Sequence, residues 1–335
     1  MTPKTHAHLP APIAALSTAL VLLLTGAGCA AGADEAGGLG DVVLRVGDQI
    51  DGAQALLDAA GELDDVPYTI EWSTFTAGPP LLEAVNADAV DVGQVGNTPP
   101  VFAAAAGSDM RIVAAFESSP DGTSILVPPD SDIDDPGDLA GRSIAVTKGS
   151  SAHGQLLGVL DAAGIGFDQV DVDYVQPADA LAAFSEGRTD AWAVWDPYIA
   201  QAQDRADARI LVNADGYGNT FTFQVAATDA LEDPARAAAL EDYLSRVHRA
   251  VRWSADHPDD YAAAWSEHTG LPEQVTRIAA ERRSPVPRPI DDALIASEQD
   301  LADAFARAGE IPAAPTMADY VDQRFNDLVS ADIGA

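Results

Sequence analysis

The chain has few basic residues, only two of them lysine, and a single cysteine, and each shortage excludes a class of protein. The one cysteine, Cys29, cannot form a disulfide within the chain, and cysteine-built metal clusters are excluded with it. Lysine and arginine together number 18 against 53 aspartates and glutamates, which gives a formal net charge of −35. Nucleic acid is therefore not an expected partner, because phosphate binding requires clustered lysine and arginine side chains. Direct adsorption to anionic lipid is disfavoured for the same reason.

What remains is enough apolar material for a large folded protein. The chain has 335 residues, of which 47% are hydrophobic, and this length suits two lobes better than one small core. The acidic excess indicates a solvated, self-repelling surface that keeps a monomer soluble. It does not fix the charge of a ligand, since exposed charges are screened over ~8 Å at physiological salt.

The first 40 residues have the anatomy of an export signal followed by a tether. An apolar run from Ala11 to Leu24 is too short for a comfortable membrane span. Small residues then precede Cys29, as in a bacterial lipobox, with Gly26 where that motif usually has leucine. We expect a signal peptide over 1–28, then a lipidated cysteine and flexible tether over 29–40. An ordinary signal peptide cleaved at a nearby alanine is the alternative.

From Asp41 onward, strand-like and helix-like segments alternate, which is the pattern of an α/β fold with largely parallel sheets. Residues 81–100 and 180–197 share a plan of helix, turn, strand and a new helix opened by a capping residue and proline. This plan indicates two lobes built alike, although many α/β units show it. We expect lobe 1 over 41–127 plus 223–335 and lobe 2 over 128–222.

A turn after the strand-like residues 142–147 has the composition of an anion site. Gly149 allows a tight turn, and Ser150 and Ser151 bring hydroxyls beside free backbone N–H groups at a helix start. Lys148 adds a positive charge. A serine that only caps its helix is the alternative.

Other candidate residues lie at neighbouring strand ends, where ligands of open α/β sheets bind. Asn97 and Thr98 begin a helix and can donate to an anion, whereas Asp196 is an acceptor that caps its own helix or receives a polar tail. Trp195 either shelters an apolar tail or belongs to the core. His153, one turn into the serine-capped helix, is placed to donate to a ligand.

Catalysis is not expected, and neither is a cofactor or a metal. The chain has no Gly-x-Ser-x-Gly, His-Glu-x-x-His or phosphate-loop motif. We expect His248, His257 and His268 on the surface of C-terminal helices.

From Val42 to Phe325 the chain resembles the aliphatic sulfonate-binding proteins of ABC importers, a group that includes taurine- and nitrate-binding proteins. The matching stretches are 75–84, 92–103, 105–107, 148–153 and 190–197. The resemblance implies a type II periplasmic-binding-protein fold, in which two α/β lobes joined by two crossovers close on a ligand by a hinge.

The resemblance also implies an anionic head group held on backbone N–H groups at helix starts. Position 97 is usually acidic in the sulfonate group, so neutral Asn97 either suits a ligand without an amine or caps its helix. The complete candidate ligand-binding set is Gln49, Gly96, Asn97, Thr98, Gly149, Ser150, Ser151, His153, Trp195 and Asp196.

The expected function is that of an exported lipoprotein on the outer face of the cell membrane or in the periplasm. It would deliver an aliphatic sulfonate or related organosulfur anion to the permease subunits of an ABC importer. Taurine, nitrate or an aromatic organosulfur anion are the alternative ligands. A pyrimidine synthase on the same fold and a sensor ectodomain are the alternatives from other classes.

Overall fold

The structure is a computed structural model that describes residues 38–331. The predicted signal peptide, Cys29 and most of the tether lie outside the described residues. None of the helices over 38–331 combines the length and hydropathy that a membrane span requires.

Helices and strands alternate along most of the described chain. The strands are β1 (Val43–Gln49), β2 (Thr69–Phe75), β3 (Val92–Gly96), β4 (Met110–Glu117), β5 (Thr123–Val127), β6 (Ser143–Val146), β7 (Asp171–Tyr174), β8 (Ala191–Trp195), β9 (Arg209–Asn213), β10 (Phe221–Ala227) and β11 (Val286–Arg288). The helices are α1 (Gly52–Ala59), α2 (Gly78–Asn86), α3 (Thr98–Ala105), α4 (Ser151–Ala163), α5 (Pro177–Ser185), α6 (Tyr198–Ala206), α7 (Thr228–Glu232), α8 (Pro234–Asp256), α9 (Pro258–Thr269), α10 (Glu273–Arg283), α11 (Asp292–Arg307) and α12 (Leu328–Ala331).

The strands form two mixed sheets. The first sheet has the order β11-β4-β10-β3-β1-β2. In it, β1 runs parallel to both β2 and β3, whereas β10 runs antiparallel to both β3 and β4. The second has the order β7-β6-β8-β5-β9, with β6 parallel to β7 and β8. The predicted α/β fold of the type II periplasmic-binding kind is confirmed. The expectation of largely parallel sheets is wrong, because β10 and β11 in the first sheet and β5 in the second pair antiparallel with their neighbours.

Each sheet is buried on both faces, as its apolar strands require. On the first sheet, Leu44 and Phe116 pack with Trp265 on one face, while Phe223 packs with Phe305 on the other. On the second sheet, one cluster contains Ile125, Val146 and Leu156, and the other contains Leu126, Phe184 and Trp192. Burial of one such large side chain stabilises the fold by roughly 1.5–3 kcal/mol.

The sheet membership of β5 bears on the predicted lobe boundaries. Thr123–Val127 was expected in lobe 1, but it pairs with β8 and β9 of the second sheet. The first crossing between the sheets therefore runs over 118–122, and the return lies between β9 and β10. The extent of the lobes as moving bodies stays a prediction.

One predicted surface histidine is instead part of the core. His248 is fully buried in α8, with its ring 5.1 Å from that of Phe116. The expectation of an exposed His248 is wrong, because the length of α8 leaves several of its turns under the first sheet. His257 is exposed, as expected, and His268 is partly exposed.

A buried carboxylate ties the first sheet to α8. Asp91 has no exposed side-chain surface and accepts from the Arg45 backbone N–H at 2.7 Å and from Arg45 Nη2 at 2.6 Å. Arg236 Nη1 donates to the same carboxylate at 3.1 Å. Removing one partner of a buried charge network leaves the other charges uncompensated, which costs far more than loss of an exposed pair.

Asp91→Asn should lower the free energy of unfolding by about 3 kcal/mol. The matched control is Asp88→Asn, since Asp88 also pairs with Arg45 but is 54% exposed, and its loss should cost under about 1 kcal/mol. Urea unfolding of both variants measures the difference. Equal losses would contradict the structural role assigned to Asp91.

Candidate functional site

A cavity of about 110 Å³ lies where the two sheets face each other. The first sheet contributes the ends of β1 and β3, and the second contributes the start of α4 and the end of β8. The loop between β9 and β10 and the end of α10 complete its wall. This is the strand-end location at which ligands of α/β sheets bind.

The cavity brings together most of the predicted site residues. Those that line it are Gln49, Gly96, Asn97, Ser150, Ser151, Trp195 and Asp196. Three others, Thr98, Gly149 and His153, are buried and do not line it.

Two helix starts meet in the cavity wall. Ser150 is the N-cap of α4, and its Oγ accepts from the His153 N–H at 3.3 Å. Gly96, at the end of β3, lies so close to Ser151 that a Cβ on residue 96 would be 2.1 Å from Ser151 Oγ. The structure therefore places the Gly96 backbone directly against the start of α4, as only glycine permits.

The side chain of Asn97 turns away from its own helix. Its backbone is already helical, so it makes no cap on α3, and the predicted capping role is wrong. Instead Asn97 Nδ2 donates to the carbonyl oxygen and Oδ1 of Asn219, at 2.9 and 3.0 Å. Asn219 in turn donates to Glu298 Oε1 at 2.9 Å. Asn97 thus ties the cavity wall to the loop before β10 and to α11.

His153 is a core residue rather than a ligand donor. Its side chain is fully buried, its Nδ1 accepts from the Gly149 N–H at 3.1 Å, and its ring packs on Phe102 and Phe305. Burial, with a smaller effect of Lys148, lowers the pKa of His153 to about 3, so the ring is neutral. The expectation that His153 donates to a ligand is not supported by its position.

Lys148 also lies elsewhere than predicted. Its side chain is half exposed, with Nζ 4.8 Å from the centre of the Tyr174 ring and 3.7 Å from Glu310 Oε2. Tyr174 OH donates to the same Glu310 oxygen at 2.7 Å. Because Glu310 follows α11 on the first sheet's side, these contacts join the two halves at the rim. Lys148 is outside the cavity lining and does not supply its positive charge.

Arg283 is the cationic side chain of the cavity, and sequence reasoning missed it. It ends α10 and lines the cavity, with its guanidinium 5.7 Å from the centre of the Trp265 ring. Among residues 38–331 it forms no ion pair with a carboxylate. The available signal was the pair Arg282–Arg283 at a helix end in a chain with 18 basic residues.

Two buried carboxylates share the cavity with Arg283. Asp48 accepts from the N–H groups of Ala53 and Gln54 at 3.0 and 2.8 Å, so it occupies the start of α1. Burial raises its pKa to about 6. Asp48 is not among the residues predicted for the site.

The pKa of Asp196 is raised for the same reason as that of Asp48. Its Oδ1 accepts from the Ala200 N–H at 3.1 Å, so it caps α6 as predicted, and lies 3.5 Å from Arg282 Nη1. Burial raises the pKa of Asp196 to about 6, while Arg282 and Arg283 oppose the rise. Both carboxylates are therefore mostly ionised at neutral pH, and the two arginines balance them.

The architecture defines a class of protein, namely one that encloses a small ligand between two α/β halves of the type II periplasmic-binding fold. Comparisons with known proteins agree. The sequence model of the NMT1/THI5-like family matches residues 78–261, and the chain belongs to that family.

Individual relatives are also similar over most of their length. An aliphatic sulfonates-binding protein of Escherichia coli (strain K12) is 34% identical over 273 residues, which is 80% of this chain and 85% of that protein. The alkanesulfonate-binding protein SsuA from Xanthomonas axonopodis pv. citri, bound to MOPS, has a TM-score of 0.78 and 31% identity, with 84% of this chain and 99% of that one covered. The periplasmic aliphatic sulphonate binding protein SsuA from Escherichia coli has a TM-score of 0.75 and 32% identity, with 84% and 92% covered. The resemblance identified in the sequence is confirmed.

The buried carboxyl of Glu298 gives the fold a pH dependence. Burial raises the pKa of Glu298 to about 8 from 4.5, and the hydrogen bond that Asn219 donates to Oε1 opposes this rise. Between these two values the folded state holds a proton that the unfolded state has released, so stability falls as pH rises.

Glu298→Gln removes this titration and keeps an oxygen for Asn219. The free energy of unfolding of the variant should rise relative to that of the parent from pH 5 to pH 8. The difference should be on the order of 3 kcal/mol at pH 8. Urea unfolding at several pH values measures it, with the exposed Glu281→Gln as the control. Parallel stability profiles for parent and Glu298→Gln would contradict a buried, protonated Glu298.

Proposed function

We propose that this chain is the substrate-binding protein of an ABC importer and that it carries a small organosulfonate anion. The observation that carries the proposal is a cavity lined both by Arg283, which has no ion pair among residues 38–331, and by the start of α4 at Ser150 and Ser151. The names of the relatives support a sulfonate as the ligand. We propose a non-catalytic role, in which binding and release are the whole function.

The energetics of such a site are sufficient for micromolar affinity. A micromolar dissociation constant corresponds to about 8 kcal/mol. Each hydrogen bond to a charged group contributes about 1.5–3 kcal/mol, so three or four donors from Gly96, Ser150, Ser151 and Arg283 supply most of it. The dipole of α4 adds about 0.3–1 kcal/mol.

Arg283→Gln tests the anion site directly. Loss of the guanidinium removes the positive charge that Arg283 brings to the cavity lining and leaves the sulfonate facing Asp48 and Asp196, so affinity should fall at least about 100-fold. Calorimetry with methanesulfonate, propanesulfonate, nitrate and sulfate measures it. Arg277→Gln is the control, because Arg277 lies on the same helix with its side chain 49% exposed.

Two results would reject the proposal. If the parent protein binds none of these anions but binds a cation or a neutral sugar, the ligand class is wrong. If Arg283→Gln binds sulfonates as tightly as Arg277→Gln does, the anion is held elsewhere.

We further propose that the protein is exported and held at the outer face of the cell membrane by lipid on Cys29. The support is the lone cysteine after an apolar run and small residues. Cys29→Ala should move the protein from the membrane to the soluble extracytoplasmic fraction and abolish incorporation of labelled fatty acid. Ser17→Ala, within the apolar run, should change neither. A parent protein that is soluble and unlabelled would contradict the anchor and leave the binding proposal intact.

A further inference from the structure

A row of hydrogen bonds runs from the rim of the molecule to the turn that carries the helix start of the cavity. The Gly149 N–H donates to His153 Nδ1 at 3.1 Å. His153 Nε2 lies 3.4 Å from Tyr174 OH, and Tyr174 OH donates to Glu310 Oε2 at 2.7 Å. Gly149 directly precedes Ser150, the N-cap of α4, which lines the cavity. We call these four residues, Gly149, His153, Tyr174 and Glu310, the rim network.

The direction of each bond in the rim network is fixed by chemistry. A backbone N–H can only donate, so His153 Nδ1 holds a lone pair and the neutral ring carries its proton on Nε2. That proton is available to the oxygen of Tyr174, whose own hydrogen goes to Glu310, because a carboxylate only accepts. Each member therefore donates toward Glu310, and the Gly149 N–H is the first donor.

His153 holds the turn by its backbone as well as by its ring. Its N–H donates to the carbonyl oxygen and to Oγ of Ser150, at 2.9 and 3.3 Å, while its ring accepts from Gly149. The ring is fully buried and contacts aromatic rings on both sides of the cavity, since Phe102 belongs to α3 and Phe167 precedes β7. The orientation of this enclosed ring therefore fixes the peptide that leads into α4.

The two ends of the rim network belong to different halves of the protein. Tyr174 ends β7 in the second sheet, whereas Glu310 follows α11, which packs on the first sheet. The side chain of Glu310 is only 16% exposed, although Lys148 Nζ lies 3.7 Å from it. The network is complete only while the two halves are held together as in this structure.

We propose that Glu310 and Tyr174 are positioning residues of the ligand site, which hold the start of α4 in its binding arrangement through His153. The inference rests on the proposed function, because the helix start that they hold is the one assigned there to the anion. Neither residue lines the cavity, so both act through the turn. A turn that is already fixed binds more tightly, because the cost of ordering it is not met when the ligand enters.

Tyr174→Phe breaks the rim network in the middle and keeps the aromatic ring. The buried Nε2–H of His153 and the carboxylate of Glu310 both lose their partner, so propanesulfonate should bind at least about fivefold more weakly in calorimetry. Tyr68→Phe is the matched control. Tyr68 OH also donates to a carboxylate, that of Asp242 at 3.0 Å, and Tyr68 does not line the cavity. Its loss should leave the affinity unchanged.

Three variants at the rim separate the hydrogen bond from the charge. Glu310→Ala removes the acceptor and should weaken propanesulfonate as much as Tyr174→Phe does, and the double variant should be no weaker than either alone. Glu310→Gln keeps an oxygen for Tyr174 OH and should restore the affinity to within about twofold of the parent. Lys148→Met removes only a half-exposed ammonium and should change the affinity less than about twofold.

Nitrogen NMR on protein with labelled histidine reads the rim network without a ligand. The parent should show His153 as the tautomer protonated on Nε2, and Tyr174→Phe should speed exchange of that hydrogen with solvent. Tyr68→Phe should leave both unchanged. A general loss of stability would not single out the ring of His153 in this way.

The outcomes separate this inference from the proposed function. If the parent protein binds no sulfonate, both fall. If the parent binds propanesulfonate and Tyr174→Phe binds it as tightly, the positioning role is rejected and the proposed function stands. Glu310→Ala decides in the same way if Tyr174→Phe does not fold. Equal losses in Tyr68→Phe and Tyr174→Phe, or a His153 protonated on Nδ1 in the parent, would likewise overturn the inference.

Discussion

The cavity depends on how closely the start of α4 approaches the first sheet. At three positions along this contact the residue is glycine, because a side chain there would clash. A Cβ at Gly96 would lie 2.1 Å from Ser151 Oγ, one at Gly154 would lie 2.4 Å from Thr98 Oγ1, and one at Gly149 would lie 3.1 Å from the Phe102 ring. The start of α4 can lie against the end of β3 and the start of α3 only because these side chains are absent, and this contact forms one wall of the cavity.

That contact explains which parts of the site were predictable. The serine-capped turn, the glycine at the end of β3 and the aspartate that caps α6 are local features, because a helix start is specified by its own few residues. Alternation of strands and helices was sufficient to predict the α/β class. Membership of β5 in the second sheet was missed, because strand pairing is decided by partners distant in the chain.

The misassigned residues have a common cause. Lys148 and His153 have the chemistry of an anion site, yet tertiary packing directs the first to Glu310 and the second into an aromatic cluster. Arg283, in contrast, was not predicted for the site but lines the cavity. The helix α10, in the C-terminal third, brings it there from more than 130 residues beyond Ser151. The pair Arg282–Arg283 at the end of a helix does not by itself indicate a cavity residue, because the position of Arg283 depends on the packing of α10 against the first crossing between the sheets.

The charge of the chain and the charge of the cavity act over different distances. The net charge of −35 repels an approaching anion, but exposed charges are screened over about 8 Å at physiological salt. Inside the cavity, screening is weak and the sign of each group matters. There Arg283 partly offsets the charges of Asp48 and Asp196, and Arg282, behind the cavity lining, lies 3.5 Å from Asp196 Oδ1. The charges that line the cavity therefore decide how well it holds an anion, whereas the net charge of the chain acts mainly on the approach of that anion.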